Sequence, residues 1–211
     1  MKQRAIIGID EVGRGPLAGP VMVCAVWVPV GFVFAGWPLL RDSKVMSEKA
    51  REEVALLARY ARQKGHLDYV VAQRSAKEID KQGISVAIKS ALTSALETLV
   101  NRQAKQTGES TEAIRDSVQV LLDGGLKAPS QFSNQLTIIK GDAKEQAISL
   151  ASIIAKIERD KYMVKRGGEA AYCHYGFATH KGYGTAAHRR AIAEHGLSDL
   201  HRRSFCRRFK V

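Results

Sequence analysis

Two acids, Asp10 and Glu11, stand side by side between the apolar run Ala5-Ile6-Ile7-Gly8-Ile9 and the turn Gly13-Arg14-Gly15-Pro16-Leu17-Ala18-Gly19-Pro20. A short β-branched run reads as a buried strand, and adjacent carboxylates at its end are costly unless a cation neutralises them. A second run, Val118-Gln119-Val120-Leu121-Leu122, ends on Asp123-Gly124-Gly125, and a further acid, Asp142, follows Lys140-Gly141. Carboxylate oxygens suit hard divalent cations, Mg²⁺ with Mn²⁺ as its substitute. Arg14 lies between glycines that permit a sharp turn and close approach of a ligand, and its planar guanidinium matches phosphate. Acids suited to metal beside an arginine suited to phosphate indicate divalent-metal chemistry on a phosphodiester. No covalent nucleophile is indicated: there is no G-x-S-x-G element and no cysteine with a defensible histidine partner.

Several elements must position these groups. Val21 to Val28 follows the glycine-rich turn closely enough to pair antiparallel with the first strand. Residues 29–40 read as a surface loop that partly packs Phe32, Phe34 and Trp37. Ser47 is an N-cap for a helix carrying Ala50, Val54, Leu57, Ala58 and Ala61 and ending at Gly65. A strand over His66 to Ala72 follows, then a capping box at Ser75 and Glu78 that starts a short helix ending near Gly83. Ile84, Ala87, Ile88, Ala91, Ala95, Leu96 and Leu99 form the stripe of a longer helix, and the polar stretch from Asn101 to Glu112 reads as an exposed extension or loop. Gln135 to Ile139 makes another strand. Asp142 then opens a helix with Ala147, Ile148, Ala151, Ile154 and Ala155 on its apolar face, its alanines allowing close approach to a sheet. If the strands that end on Asp10 and Asp123 are parallel neighbours, both carboxylates converge outside the carboxyl end of an open α/β sheet. Asp142 and Glu145 have capping-box spacing, so on these residues alone Asp142 reads equally as a helix cap.

Size and charge narrow the function class. A chain of 211 residues fits one domain with a real core. Its net charge of +12 and pI near 9.8 favour a polyanionic partner such as nucleic acid. From His174 to Val211, eight basic residues against Glu194 and Asp199 leave 8 − 2 = +6, which marks a nucleic-acid face. No apolar run approaches the ~20 residues of a membrane span and the N-terminus lacks a signal-peptide layout, so a cytoplasmic protein without a membrane partner is expected. Cys24, Cys173 and Cys206 have no metal-ligand spacing and are expected as reduced thiols. The six histidines form no H-x-x-x-H cluster and read as surface, capping or phosphate-facing groups.

Asp10-Glu11-Val12-Gly13-Arg14-Gly15-Pro16-Leu17-Ala18-Gly19-Pro20-Val21 resembles the opening signature of ribonuclease HII, the type 2 ribonuclease H family. Three further blocks follow in the family's order. They are Lys140 to Lys144 with Ala151 to Asp160; Tyr175-Gly176-Phe177 with His180 to Thr185; and His201-Arg202-Arg203-Ser204-Phe205. The resemblance implies an α/β ribonuclease H-like fold, a mixed central sheet flanked by helices, with a helical C-terminal portion from about residue 170 inside a single catalytic domain over 1–211. It implies that Asp10, Glu11, Asp123 and Asp142 hold two divalent ions, Mg²⁺ or Mn²⁺, about 3.5–4 Å apart for in-line hydrolysis. The implied substrates are RNA–DNA hybrids and DNA duplexes containing ribonucleotides, cut 5′ to the ribonucleotide to leave 3′-hydroxyl and 5′-phosphate ends, in ribonucleotide removal and primer processing. By the same resemblance Gly13, Arg14 and Gly15 read the ribose 2′-hydroxyl, Tyr183 packs on the nucleotide at the RNA–DNA junction, and Lys44 of Asp42-Ser43-Lys44 lies near the nucleic-acid backbone. Without the resemblance, Lys44 reads as surface charge and Tyr183, between two glycines, as a surface anchor. Gly83 stands where the family often has asparagine. Ribonuclease HIII matches less well, because its first block differs after the acids and the nine residues before Asp10 leave no room for its extra N-terminal domain. A monomer is expected, and no segment reads as a sliding-clamp contact. A non-catalytic hybrid-binding protein would explain the basic face but not four retained acids; a basic ribosome- or membrane-associated protein would leave the acids at the strand ends unexplained.

Overall fold

The computed structural model describes residues 3–38, 40 and 46–208. Five strands form one sheet: β1 Ala5–Val12, β2 Val21–Pro29, β3 Asp68–Arg74, β4 Val118–Asp123 and β5 Gln135–Ile138, in the order β3-β2-β1-β4-β5. β1 pairs antiparallel with β2, and β2 with β3, while β4 runs parallel to both β1 and β5. Parallel strands need a crossover, and the helices between β3 and β4 supply it. These are α2 Ala76–Gln82, α3 Ile84–Thr107 and α4 Thr111–Asp116. The remaining helices are α1 Glu48–Gln63, α5 Gln146–Gly167, α6 Phe177–His180 and α7 Ala186–His195. The mixed sheet flanked by helices and the helical C-terminal portion agree with expectation.

The period of two along each strand divides the core. Ile7 and Ile9 of β1, Val23 and Ala25 of β2, and Val120 and Leu122 of β4 pack with α3. Cys24, Val26 and Val28 face the other way, onto α1 and α5. Gly8 is the closest approach on that second face: an added Cβ would stand 2.6 Å from the Ile148 backbone nitrogen, so α5 lies against the backbone of β1. A third cluster, built from Ala18, Met163, Tyr172, Tyr175, Phe177, Ala191 and Leu200, packs the C-terminal portion onto the glycine-rich turn. Phe32, Phe34 and Trp37 meet edge to face within their loop.

Local signals performed as read where they are self-contained. Ser47 caps α1 through the Ala50 N–H, and Ser75 and Glu78 form a reciprocal capping box on α2. The stretch from Asn101 to Glu112 is exposed but mostly helical. Arg102, Gln103, Ala104 and Lys105 are good helix formers, Ala104 continues the stripe of Leu96 and Val100, and only Gly108, left-handed at φ 76°, ends α3. β3 begins two residues later than expected, since the His66 N–H is still bonded to the Ala61 carbonyl at 2.9 Å in the turn that closes α1. Asp142 does not cap α5: it lies in a 3₁₀ turn, Gly141–Ala143, after left-handed Lys140, and α5 starts only at Gln146.

Candidate active site

β1 and β4 bring the first two acids together. Their parallel register ends on Ile9 beside Leu122, so the next positions along it are Asp10 and Asp123. Ile9 and Leu122 face α3, and alternation turns Asp10 and Asp123 toward α5 while Glu11 falls on the α3 side. Asp10 is 7% exposed and accepts hydrogen bonds from the Glu11 N–H at 2.7 Å and from the Ser152 hydroxyl of α5. Burial pushes its carboxyl up to about 7 despite those bonds, and the charges of Glu11 and Asp123 push the same way. Burial also raises Glu11, opposed chiefly by Arg14, whose Nη2 lies 3.0 Å from Glu11 Oε1. Asp123 Oδ1 accepts from the Gly141 N–H at 2.7 Å. A Cβ at Gly141 would sit 2.6 Å from Ile148 Cδ1, so this turn packs closely on α5. Asp142, the next residue, is buried.

An all-oxygen, mutually repelling and mostly buried set of carboxylates is the donor chemistry of a hard divalent cation. Among the described residues no group of three or more acids, histidines or cysteines stands close enough together to hold a metal ion. Glu11 is instead held in its ion pair with Arg14.

The turn after the acids is shaped by its backbone. Gly13 has φ 89°, and an added Cβ would stand 2.8 Å from the Pro20 carbonyl oxygen. Gly15 has nothing within 4 Å of where its Cβ would be, so its backbone is open to a ligand. Leu17 and Ala18 donate to the Gly182 carbonyl at 2.9 and 3.3 Å, which places Tyr183 beside the same turn. Tyr183 is 42% exposed, with the Arg159 guanidinium 5.7 Å from its ring centroid. From Arg14 a groove of about 540 Å³ runs past Ser85, Lys89, Lys127 and Ser130. Lys44 lies outside the described residues.

The sequence model of the ribonuclease HII family matches residues 7–208. Ribonuclease HII of Shouchella clausii is 40% identical over 209 residues, covering 97% of this chain and 71% of its own length. In three dimensions the chain is similar to the ribonuclease H2 of Pyrococcus horikoshii OT3, with a TM-score of 0.63 at 21% identity over 98% of this chain and 97% of that one. It is also similar to Bst-RNase HIII in complex with Mn²⁺, with a TM-score of 0.65 at 19% identity over 94% of this chain and 65% of that one.

The chain belongs to the ribonuclease HII family. It is therefore a type 2 ribonuclease H, a nuclease of a divalent-metal-dependent family that acts on RNA–DNA substrates. No single helix among the described residues is long and apolar enough to cross a membrane.

Two arginines within the ribonuclease HII blocks have a part that residue reading missed. Arg159 of α5 and Arg202 are fully buried. Arg202 donates to the carbonyls of Gly13 at 2.7 Å, Arg14 at 3.1 Å and Gly19 at 2.9 Å. Arg159 donates to those of Pro20 at 3.0 Å, Ala18 at 3.1 Å and Lys181 at 3.0 Å. Among the described residues neither has a carboxylate within ion-pair distance. Burial lowers both, Arg202 to about 9, and Arg159 depresses Arg202 further. A signal was present: Arg159 continues the buried spacing Ala151, Ala155, Met163 of α5, where a cation must find acceptors. Of the expected surface, capping or phosphate-facing roles for the histidines, the surface and phosphate-facing ones do not hold for two, whose rings bond backbone groups inside the fold. His188 and His201 are buried, and His180 stacks on His188 at 4.4 Å. Their partners lie three to thirteen residues away and are reached through turns, not at a helical or strand period.

Proposed function

We propose that this ribonuclease H cuts endonucleolytically on the 5′ side of ribonucleotides in duplex DNA, and within the RNA strand of RNA–DNA hybrids, leaving 3′-hydroxyl and 5′-phosphate ends. The observation that carries the reading is the juxtaposition of Asp10 and Asp123 on parallel strands, with Glu11 adjoining and a glycine turn open at Gly15 beside them. Asp10, Glu11, Asp123 and Asp142 would hold two divalent ions, Mg²⁺ or Mn²⁺. Such ions supply a nucleophile from water at neutral pH and stabilise the leaving oxygen.

The protein's own groups do the rest. The Ser152 hydroxyl and the Glu11 N–H orient Asp10, and the Gly141 N–H orients Asp123. Arg14, more than half exposed, is free to exchange Glu11 for a substrate phosphate. The open backbone at Gly15 and its neighbours would meet the ribose 2′-hydroxyl, the group that separates RNA from DNA. Tyr183 would pack on the nucleotide at the junction, and Lys44 would lie near the backbone. The groove past Lys89 and Lys127 offers cations to a further stretch of strand. On this reading the protein acts as a monomeric cytoplasmic enzyme of ribonucleotide removal and primer processing.

The test is cleavage of a labelled DNA duplex bearing one ribonucleotide, with Mg²⁺, Mn²⁺ or EDTA, the cut mapped to the nucleotide. A metal-dependent cut on the 5′ side is expected. Cutting only inside longer RNA stretches would overturn the junction specificity, and tight binding without a cut would point to a hybrid-binding protein.

A further inference from the structure

Behind Tyr183 the hydrogen bonds of two buried imidazoles determine where each proton sits. The Ser198 N–H donates to His201 Nδ1 at 3.0 Å, so neutral His201 carries its proton on Nε2. That nitrogen is 3.0 Å from His188 Nε2, and His188 Nδ1 is 2.9 Å from the Tyr183 carbonyl oxygen, which can only accept. The Ser198 hydroxyl, 2.8 Å from His201 Nδ1, is placed to donate there too, and the arrangement that fits these contacts has His201 Nε2–H donating to His188 Nε2 and His188 Nδ1–H donating to Tyr183. Protonating either ring would set one N–H against another, and burial lowers both imidazoles to about 4.

The relay has an anchor at each end. At one end His201 pairs with Ala18, and the Arg202 N–H donates to the Leu17 carbonyl at 2.8 Å, so its base is the glycine-rich turn itself. At the other, the Tyr183 carbonyl also accepts from the Thr185 N–H at 2.8 Å, and the Thr185 hydroxyl caps α7 through the His188 N–H. His180 holds the preceding residue: its Nδ1 accepts from the Gly182 N–H at 3.2 Å and its Nε2 donates to the Tyr175 carbonyl at 2.7 Å. Two buried rings thus connect the turn beside the acids to the backbone of the half-exposed aromatic facing solvent.

We propose that His188, oriented by His201, is a positioning residue that sets Tyr183 against the ribonucleotide and couples it to the glycine-rich turn. This rests on the junction-reading role proposed for Tyr183. The experiment is a double-mutant cycle on the single-ribonucleotide duplex, with kcat and KM measured separately and melting temperature recorded for every variant.

His188→Gln places its amide near Nε2 and gives up the bond to Tyr183; His188→Asn places its amide near Nδ1 and keeps it. Expected for His188→Gln is a loss of about tenfold or more in kcat/KM, and for His188→Asn about threefold at most. In the Tyr183→Ala background His188→Gln should add nothing. Additive losses, or a lowered melting temperature with unchanged kcat/KM, would overturn the proposal. Should His188→Gln fail to fold, the same cycle is run with His201→Asn, whose effect must also vanish without Tyr183. A wild type that does not cut at a lone ribonucleotide sinks the junction-reading function, whereas a wild type that cuts and a Tyr183→Ala variant that cuts equally well sink only the role of Tyr183 and its relay.

Discussion

The glycine-rich turn separates two regions with opposite electrostatic problems. On one side, Asp10, Glu11 and Asp123 crowd like charges at a sheet end, with Arg14 alone in an ion pair with Glu11. On the other, Arg159 and Arg202 are buried among backbone carbonyls, each with one aromatic ring beside it, Tyr183 and Phe205. The acids are left under-neutralised, which suits a site that recruits a cation. The arginines each donate to three backbone carbonyls, which suits holding a loop in place. On the proposed reading, charge at the first region serves chemistry, while charge at the second holds shape.

If that contrast is right, loss of one charge should fail differently in each region. Asp123→Asn should reduce cutting to below about one-thousandth of wild type while hybrid binding stays within about tenfold, because the lost group acts on the transition state. Loss of folding by circular dichroism would instead make Asp123 structural. Arg202→Met should do the reverse, costing about 3 kcal/mol or more of stability through three orphaned carbonyls, read from denaturant midpoints. Arg202→Lys should recover part of that, since an ammonium keeps the charge but not the fork. A Met variant of wild-type stability would break the contrast.

The histidine relay sharpens it through pH. His188 and His201 titrate near 4 in the folded protein and near 6.5 when unfolded, so below 6.5 the unfolded chain binds more protons. Their contribution is complete above pH 6.5 and is lost as pH falls toward 4, amounting to a few kcal/mol at most. Urea melts across that range should show the decline, and His188→Asn should flatten it. The smallest effect concerns the turn. Gly13→Ala should cost roughly 1–3 kcal/mol because φ is positive and the space is filled, whereas Gly15→Ala should stay within about 0.5 kcal/mol yet impair ribonucleotide cutting. Equal stability losses would show that Gly15 is structural too.

Much of the fold was legible because its signals are local. Apolar runs that stop on Asp10 and Asp123 reveal β1 and β4, although β1 continues through Glu11 to Val12 in its pairing with β2, and Ser47, Ser75 and Glu78 announce helix starts within a single turn. The polar composition of residues 101–107 concealed the end of α3, since an exposed helix and a loop look alike when few side chains reach the core. Asp142 and Glu145 have capping-box spacing, yet Asp142 lies inside a 3₁₀ turn tied to Asp123 through the Gly141 N–H, and Glu145 takes the cap position of α5.

The residue types of the site, the acids that close the apolar runs and the basic balance that suits nucleic acid are all legible in the chain alone. Side-chain chemistry and periods of two and 3.6 are properties of short stretches, readable without knowing what packs against them. Tertiary structure alone decided that Asp10 and Asp123 adjoin, that Arg202 holds carbonyls almost two hundred residues earlier, and that His201 orients His188 toward Tyr183. Those contacts join distant segments, and a buried polar group takes whatever partner the packing of the whole chain brings within reach.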